Sequence, residues 1–266
     1  MKVAMLTGSH SRHLYVAHQL YAAGLLQSLV IEQREEMIPP PPNGLNEMDH
    51  QNFIRHFQDR DAAELAFFGK ADEFDLSGLP RLHVTYQELN GERVKNWISE
   101  HKPDVVISYG IHILNRELLS LFPEQSWNIH GGLSPWYRGN TTLFWPFYFL
   151  KPNWAGMTIH YLTTKLDGGD IIHHSTPQLL RGDGIHDVAC RAVEQASKDI
   201  IVILNKLNSG ADIQGSPQKS SGKLFTSEDW KPQHLRLIYN TFNNDIVDKY
   251  LDGELGHQEP PLIRAF

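Results

Sequence analysis

The chain has 266 residues, 41% hydrophobic and 21% charged, enough to bury a substantial core in one large domain or in one domain with an appendage. Its 31 acidic residues outnumber 24 basic ones, for a formal net charge of -7; this argues against nucleic acid as a partner, because neutralising many phosphates takes a basic excess or stripe. No apolar run, Thr141 to Leu150 included, approaches the roughly 20 residues that span a membrane, and the opening MKVAMLTGSHSRH turns polar too early for a signal peptide.

A cytoplasmic setting is therefore expected. The single Cys190 agrees with it, since one cysteine builds no intramolecular disulfide. Its Ala-Cys-Arg-Ala context reads as helix, with the thiol as buried filler.

Lys2 to Thr7 is a short apolar run that ends in Gly8-Ser9-His10-Ser11. Leu14, Val16, Ala17, Leu20 and Ala23 then recur at helical spacing up to Gly24, so strand, tight turn and helix are expected in that order. Leu29 to Ile31 reads as a second strand. Four prolines, Pro39 to Pro42, fit neither helix nor central strand and mark a long loop, expected to be mobile. Phe53, Phe57, Ala62, Leu65 and Phe68 predict a helical region over Asn46 to Phe68, broken near Asp59 to Asp61.

A helix from about Gly91 to His101 leads through Pro103 into Val105-Val106-Ile107-Ser108-Tyr109, a run suited to a strand buried on both faces. A short helix around Arg116 to Leu121, a strand around Trp127 to His130 and an aromatic helix from Thr141 to Leu150 follow. The Trp145, Phe147, Tyr148 and Phe149 cluster reads as core. Alternating strand and helix predicts an α/β fold with a doubly wound, mostly parallel sheet. Met157 to Leu162 and Ile171 to Ser175 read as an antiparallel hairpin at the sheet edge, joined through Gly168 and Gly169. A long amphipathic helix from Gly184 to Leu207 closes the first unit, residues 1–207. The turn-rich Asn208 to Lys223 stretch opens a small helical C-terminal extension, residues 208–266, with its helical piece over Ser227 to Leu251.

Alternate strand residues share a face, so Asn128 and His130 project side by side while Trp127 and Ile129 pack behind them. They stand at the carboxyl end of a buried strand, just before Gly131-Gly132, where open α/β sheets place their ligand crevices. An isolated Asn-x-His most simply caps and hydrogen-bonds a strand end. The continuous context is more specific: SWNIHGGLSPWYRG over Ser126 to Gly139, then GMTIHYLTTKLDGGDII over Gly156 to Ile172.

Together these two blocks resemble the catalytic domain of 10-formyltetrahydrofolate-dependent formyltransferases, in which Asn-x-His and Leu-x-Pro-x-Tyr-x-Gly precede Gly-x-Thr-x-His and Leu-Asp-x-Gly-Asp-Ile. The similarity extends back through PDVVISYGIHILNRELLSLFP and is weakest between Gln33 and Leu82. The resemblance implies a formyltransferase Rossmann-like fold, 10-formyltetrahydrofolate as co-substrate and no metal. It implies Asn128, His130 and Asp167 as catalytic residues, with Asp170 in the same turn as a strand-start residue. Amine attack on a formyl carbon creates an oxyanion and a positively charged nitrogen. Asn128 and a His130 ring N–H are expected to donate to the first, and such donors contribute about 3 kcal/mol each. Asp167 is expected to orient His130, favour its protonated form and assist proton removal.

By the same resemblance Ile111, His112, Ile113 and Leu114 line the pterin pocket, and Leu162, Thr163, Thr164, Lys165 and Leu166 form its opposite wall. His112 and Asn115 depart from the residues usual there. From the residues alone, Ile113 and Leu114 read as the apolar staple of the next helix. On the acceptor side the candidates are Ser9, His10 and Arg12, at a turn that lacks both a full P-loop and a dinucleotide fingerprint. Trp136, Tyr137 and Arg138 are the others, suited to gripping a ring or a phosphate or to packing the loop down. His10 with His13, and His173 with His174, lack cysteines or carboxylates at ligand spacing and read as structural or surface histidines.

The family divides by its amine acceptor. Enzymes acting on initiator methionyl-tRNA carry a β-barrel domain, whereas the stretch after residue 207 is short, reads as helical and is not basic. Those acting on glycinamide ribonucleotide begin with Gly-Asn-Gly-Ser where this chain has Gly-Ser-His-Ser. Exclusion leaves a nucleotide-linked amino sugar as the expected small-molecule partner. A 10-formyltetrahydrofolate hydrolase, a formyltransferase acting on another small amine and a folate-binding regulatory protein are the alternatives; hydrolases usually carry a further amino-terminal domain that this sequence does not show. Two roles stand open for the C-terminal piece with Trp230, Pro232 and Tyr239: a cover over the acceptor site, or a homodimer interface.

Overall fold

A computed structural model of the chain describes residues 1–219 and 222–266. Ser220 and Ser221, inside the turn-rich segment expected over Asn208 to Lys223, lie outside the described residues.

The chain opens with β1 (Val3–Gly8), α1 (Ser11–Ala22) and β2 (Leu26–Glu32). β2 is longer than its apolar run. Parallel ladders are made by the backbone, so Leu26 and Ser28 pair with β1 although Gln27 and Ser28 are polar. After a loop containing the four prolines come α2 (Glu47–Phe68), β3 (Arg81–Val84), α3 (Glu92–His101) and β4 (Val105–Tyr109). Then follow α4 (Arg116–Leu119), β5 (Gln125–His130), β6 (Tyr137–Gly139), α5 (Trp145–Tyr148), β7 (Met157–Tyr161), β8 (Ile171–Ser175) and α6 (Ile185–Asn208). β9 (Lys223–Phe225) and α7 (Ile246–Leu251) complete the order.

Seven strands form one sheet in the order β3-β2-β1-β4-β5-β7-β8, in which the first five are parallel and β7 runs antiparallel to both neighbours. The doubly wound α/β fold and the edge hairpin expected from the sequence are both present. Strand order reverses between β1 and β4, which opens a crevice beyond their carboxyl ends.

Residue alternation assigns the two faces. Val3 and Met5 of β1, Val105 and Ile107 of β4, and Trp127 and Ile129 of β5 join the core under α1 and α6. Ala4, Leu6 and Val106 face the other core, with Val94 and Ile98 of α3 and Leu118 of α4. That second core stops short of β5 and β7. Over those strands the sheet face carries Asn128, His130, Thr158 and His160 in place of aliphatic side chains, which is where a site can form.

Three expectations about helices need correction. α2 is continuous, with Asn46 accepting a hydrogen bond from the Asp49 backbone N–H at its start (2.9 Å) and Gly69 at φ 75° ending it. No break occurs at Asp59 to Asp61: beside Phe53 and Phe68, the buried residues of α2 are polar, Asp49, Asn52, His56 and Glu64, and apolar periodicity does not register them. The aromatic helix shrinks to four residues, bracketed by Thr141 and Leu150 at positive φ. The C-terminal piece is a 3-10 turn at Pro232–His234, a π turn at Leu237–Thr241 and then α7, interrupted by Asn243 and Asn244 at positive φ. β3, β6 and β9, of three or four residues each, are too short for a periodic signal.

The C-terminal residues are built into the fold. Phe225, Leu235, Ile238, Tyr239, Ile246 and Val247 share one core with Leu133, Tyr137, Phe144, Trp145, Phe147 and Trp154. β9 pairs in parallel with β6. Asp49 of α2 receives both the Nε and Nη2 donors of Arg236 at 2.7 Å. Phe149, expected in the aromatic core, is 47% exposed.

Ile129 lies between Asn128 and His130 and is buried. Ile129→Ala removes core volume where it locks β5, and should lower unfolding free energy by about 2–5 kcal/mol in a urea titration. A loss under about 1 kcal/mol would contradict this packing.

Candidate active site

A cavity of about 440 Å³ wraps over the carboxyl ends of β4 and β5, from the loop after β5 to the facing sides of α2 and α6. Asn128, His130 and Asp167 line it together.

Asn128 stands in register between Ser108 on β4 and His160 on β7. The Ser108 hydroxyl donates to Asn128 Oδ1 at 2.8 Å, and Asn128 Nδ2 lies 3.2 Å from His160 Nε2. His160 Nδ1 donates to the Tyr161 carbonyl at 2.8 Å, which leaves Nε2 to accept from the amide. Both ends of the amide are thereby fixed, and one Nδ2 hydrogen is left for a ligand oxygen.

His130 Nε2 donates to the Tyr137 carbonyl at 2.8 Å, and Nδ1 lies 3.5 Å from Asp167 Oδ1. Burial lowers the ring's pKa below the ordinary histidine value, against Asp167 and the Tyr137 carbonyl, which raise it. Asp167 thus favours the protonated form, the direction expected, but burial outweighs it, and the ring N–H expected to face an oxyanion is engaged by Tyr137. The neutral ring has already spent its N–H on Tyr137, and Nδ1 presents a lone pair. A carboxylate oxygen and an imine nitrogen at this spacing are two acceptors that converge on one proton donor.

Asp167 is buried in the Lys165–Gly168 turn at φ 45°, a left-handed conformation that aspartate tolerates. Burial would raise its carboxyl, but His130, the His160 ring and the Gly139 N–H, which donates to Oδ2 at 2.8 Å, hold it down to about 2. Gly169 must be glycine, since a Cβ there would lie 1.9 Å from the Tyr161 carbonyl.

Two positioning contacts come from the C-terminal segment. Gln218 Nε2 donates to the Asp167 and Gly169 carbonyls, at 2.8 Å each, and clamps the turn that carries the carboxylate. β9 holds β6, whose backbone supplies the Tyr137 carbonyl to His130 and the Gly139 N–H to Asp167. Sequence reasoning missed Gln218, which lies in a turn-rich stretch without periodicity. It also missed His160, which stood in the quoted Gly-x-Thr-x-His block.

The other sequence candidates divide. Ile111, Leu166 and Arg12 line the cavity. His112 instead binds the buried Glu32, by its backbone N–H (2.9 Å) and by Nδ1 (2.7 Å), and contacts Arg34. Leu114 is buried under α3 and α4, Ile113 is 68% exposed, and Leu162 packs at the edge of that core. Thr163, Thr164 and Lys165 are exposed in the loop before Asp167. Ser9 accepts the Arg34 backbone N–H at 2.9 Å, and His10 donates to the Glu35 carbonyl at 2.7 Å; neither lines the cavity. Trp136 and Tyr137 pack on Trp154, and Arg138 is buried, so this loop meets the cavity with Gly139 and Asn140. His173 bonds Asp199 (3.2 Å) and His174 bonds the Ser134 carbonyl (2.8 Å), both structural roles. Cys190 is buried, as expected, and forms part of the cavity wall.

An amide donor and an imidazole toward a strand end, facing a carboxylate from a neighbouring turn, are the equipment of acyl-transfer chemistry. The formyl transferase family model matches residues 59–204, more than half of the chain, and the chain belongs to that family. It is similar in fold to the phosphoribosylglycinamide formyltransferase from Anaplasma phagocytophilum, at 18% identity and a TM-score of 0.57 over 85% of this chain and 98% of that one. It also resembles the formyltransferase PseJ from Anoxybacillus kamchatkensis, solved in complex with UDP-4,6-dideoxy-4-formamido-L-AltNAc and tetrahydrofolate. That match has 17% identity and a TM-score of 0.52 over 92% of this chain and 96% of that one. A 4-N formyltransferase from Francisella tularensis matches at 15% identity and a TM-score of 0.54, covering 86% and 77% of the two chains. Among the described residues, no helix is long and apolar enough to cross a membrane.

The electrostatics make a direct prediction. His130 followed by NMR should titrate with a midpoint below 6.5. Asp167→Asn removes a charge that raises this pKa, so the midpoint should fall further. A midpoint above 6.5, or an upward shift in the variant, would show that burial does not govern the ring.

Proposed function

We propose that this protein transfers a formyl group from 10-formyltetrahydrofolate to a primary amine on a nucleotide-linked amino sugar, with Asn128, His130 and Asp167 as the catalytic residues. The observation that carries the reading is the convergence of the His130 Nδ1 lone pair and Asp167 Oδ1, 3.5 Å apart, beside the prepared Asn128 amide. The folate fits the apolar wall formed by Ile111 and Leu166, beside the loop 162–166. The complex of PseJ with tetrahydrofolate and a UDP-linked formamido sugar supports both the donor and the acceptor class.

When bound, the folate presents its formyl carbonyl to the amine. Asn128 Nδ2–H donates to the formyl oxygen as negative charge develops there. His130 Nδ1 and Asp167 hold the amine by its N–H, aim its lone pair at the formyl carbon and take the proton released as the new C–N bond forms. His130, protonated at Nδ1 by that transfer, then returns the proton to the folate nitrogen as the old C–N bond breaks. The imidazolium exists only while Asp167 is ionised beside it. The donor role expected of His130 from the sequence thus follows proton transfer.

The test is incubation with 10-formyltetrahydrofolate and a panel of nucleotide-linked amino sugars, with glycinamide ribonucleotide and a reaction lacking acceptor as comparisons. Tetrahydrofolate release and a formyl mass gain on one sugar are expected, and His130→Ala should lower the rate by about 10²–10⁴-fold. Release without acceptor would instead make the protein a hydrolase, and no release with any acceptor would contradict the reading.

Gln218 should act on geometry alone. Gln218→Met, which removes the amide donor at similar size and adds no charge, is expected to lower kcat on the order of ten-fold, with KM for both substrates and Tm little changed. A raised KM at constant kcat would place Gln218 in binding.

A further inference from the structure

The cavity wall away from Asn128 carries three arginines, Arg12, Arg34 and Arg60. Two are matched by carboxylates. Arg12 lies 2.5 Å from the buried Glu64, and Arg34 lies 3.5 Å from Glu32 and 3.1 Å from Glu35. Arg60 is in no ion pair among the described residues. Its Nη2 donates to the Met37 carbonyl and lies 3.2 Å from Met37 Sδ, its guanidinium lies over the Phe57 ring, and its buried Nε has no acceptor. Burial, then the charge of Arg12, lowers its pKa to about 10 against the charges of Glu64, Glu35 and Asp61, which raise it, so it stays cationic at neutral pH.

Close by, His56 and His186 come from α2 and α6, and burial keeps both rings neutral. His186 is nine-tenths buried and lines the cavity, with Nε2 lacking any partner. This wall therefore combines one cation outside any ion pair, two guanidiniums already paired with carboxylates and an unused ring nitrogen in a space large enough for a ligand.

We propose that Arg60, flanked by Arg12 and Arg34, is an anion subsite that takes a phosphate ester of the acceptor, with His186 Nε2 turned to a neighbouring polar group. The proposal rests on the formyl-transfer reading and deepens it: the amine would enter at His130 while the phosphate is held from α2. A phosphate ester suits the wall better than a carboxylate, because several guanidinium N–H groups need more than two acceptor oxygens. The site also explains the polar face of α2, where Arg60 lies one turn from His56 and one from Glu64.

Arg60 is the residue to change, since removing Arg12 would leave Glu64 buried and unpaired. Calorimetric titration of the full chain with inorganic pyrophosphate, and separately with tetrahydrofolate, is the experiment. Pyrophosphate should bind the wild type, Arg60→Gln should weaken it by about ten-fold or more, and Arg60→Lys should fall between. Tetrahydrofolate affinity should stay within about two-fold, as expected for a group it does not touch. Pyrophosphate that fails to bind the wild type, or binds both proteins equally, overturns the subsite. Weakened tetrahydrofolate with unchanged pyrophosphate also overturns it, by giving Arg60 to the folate carboxylates. A wild type that binds pyrophosphate but not tetrahydrofolate keeps the anion subsite and contradicts the formyl-transfer reading.

Discussion

The hydrogen bond from His130 Nε2 to the Tyr137 carbonyl organises this site. It fixes the ring's tautomer, turns Nδ1 toward Asp167 and makes the chemistry depend on a backbone atom. That atom stays in place because β6 is paired to β9, and because Tyr137 and Phe225 stack in a core shared with the C-terminal residues. Gly139, next in β6 but one, gives Asp167 its backbone donor. A peptide of three residues thus sets both the imidazole and the carboxylate, and the segment after α6 holds that peptide from the far side.

Burial then decides the protonation states. Desolvation works against charge on both His130 and Asp167. The carboxylate accepts the Gly139 backbone N–H and remains ionised, whereas burial leaves the ring neutral. A neutral base beside an ionised acid is the combination that accepts a proton from an attacking amine and then tolerates the resulting imidazolium. Asn128 completes the arrangement through Ser108 and His160, which take up the rest of its hydrogen-bonding capacity.

Much of the fold was legible in the sequence, because it is written in side-chain periodicity. The β-branched run at Val105 to Ile107 marked a doubly buried strand, and alternation alone put Asn128 beside His130. Asp167 was different: nothing in local pattern joins it to β5, and only the resemblance of the whole Leu-Asp-Gly-Gly block placed it there. Periodicity failed at α2, where Asp49, Asn52, His56 and Glu64 form a buried polar face. It failed again where the backbone acts, since Trp136, Tyr137 and Arg138 looked like gripping side chains while the carbonyl of Tyr137 and the N–H of Gly139 do the work. Gln218 and β9 depend on tertiary pairing and leave no local trace.

The most direct test of the account is the tautomer of His130, read from ¹⁵N–¹H correlation NMR at a pH above its titration midpoint. A neutral ring carrying its proton on Nε2, with Nδ1 bare, is the predicted state. A ring protonated on Nδ1, or an imidazolium persisting there, would mean that the Tyr137 carbonyl does not set the ring and that His130 and Asp167 do not converge as a pair of acceptors.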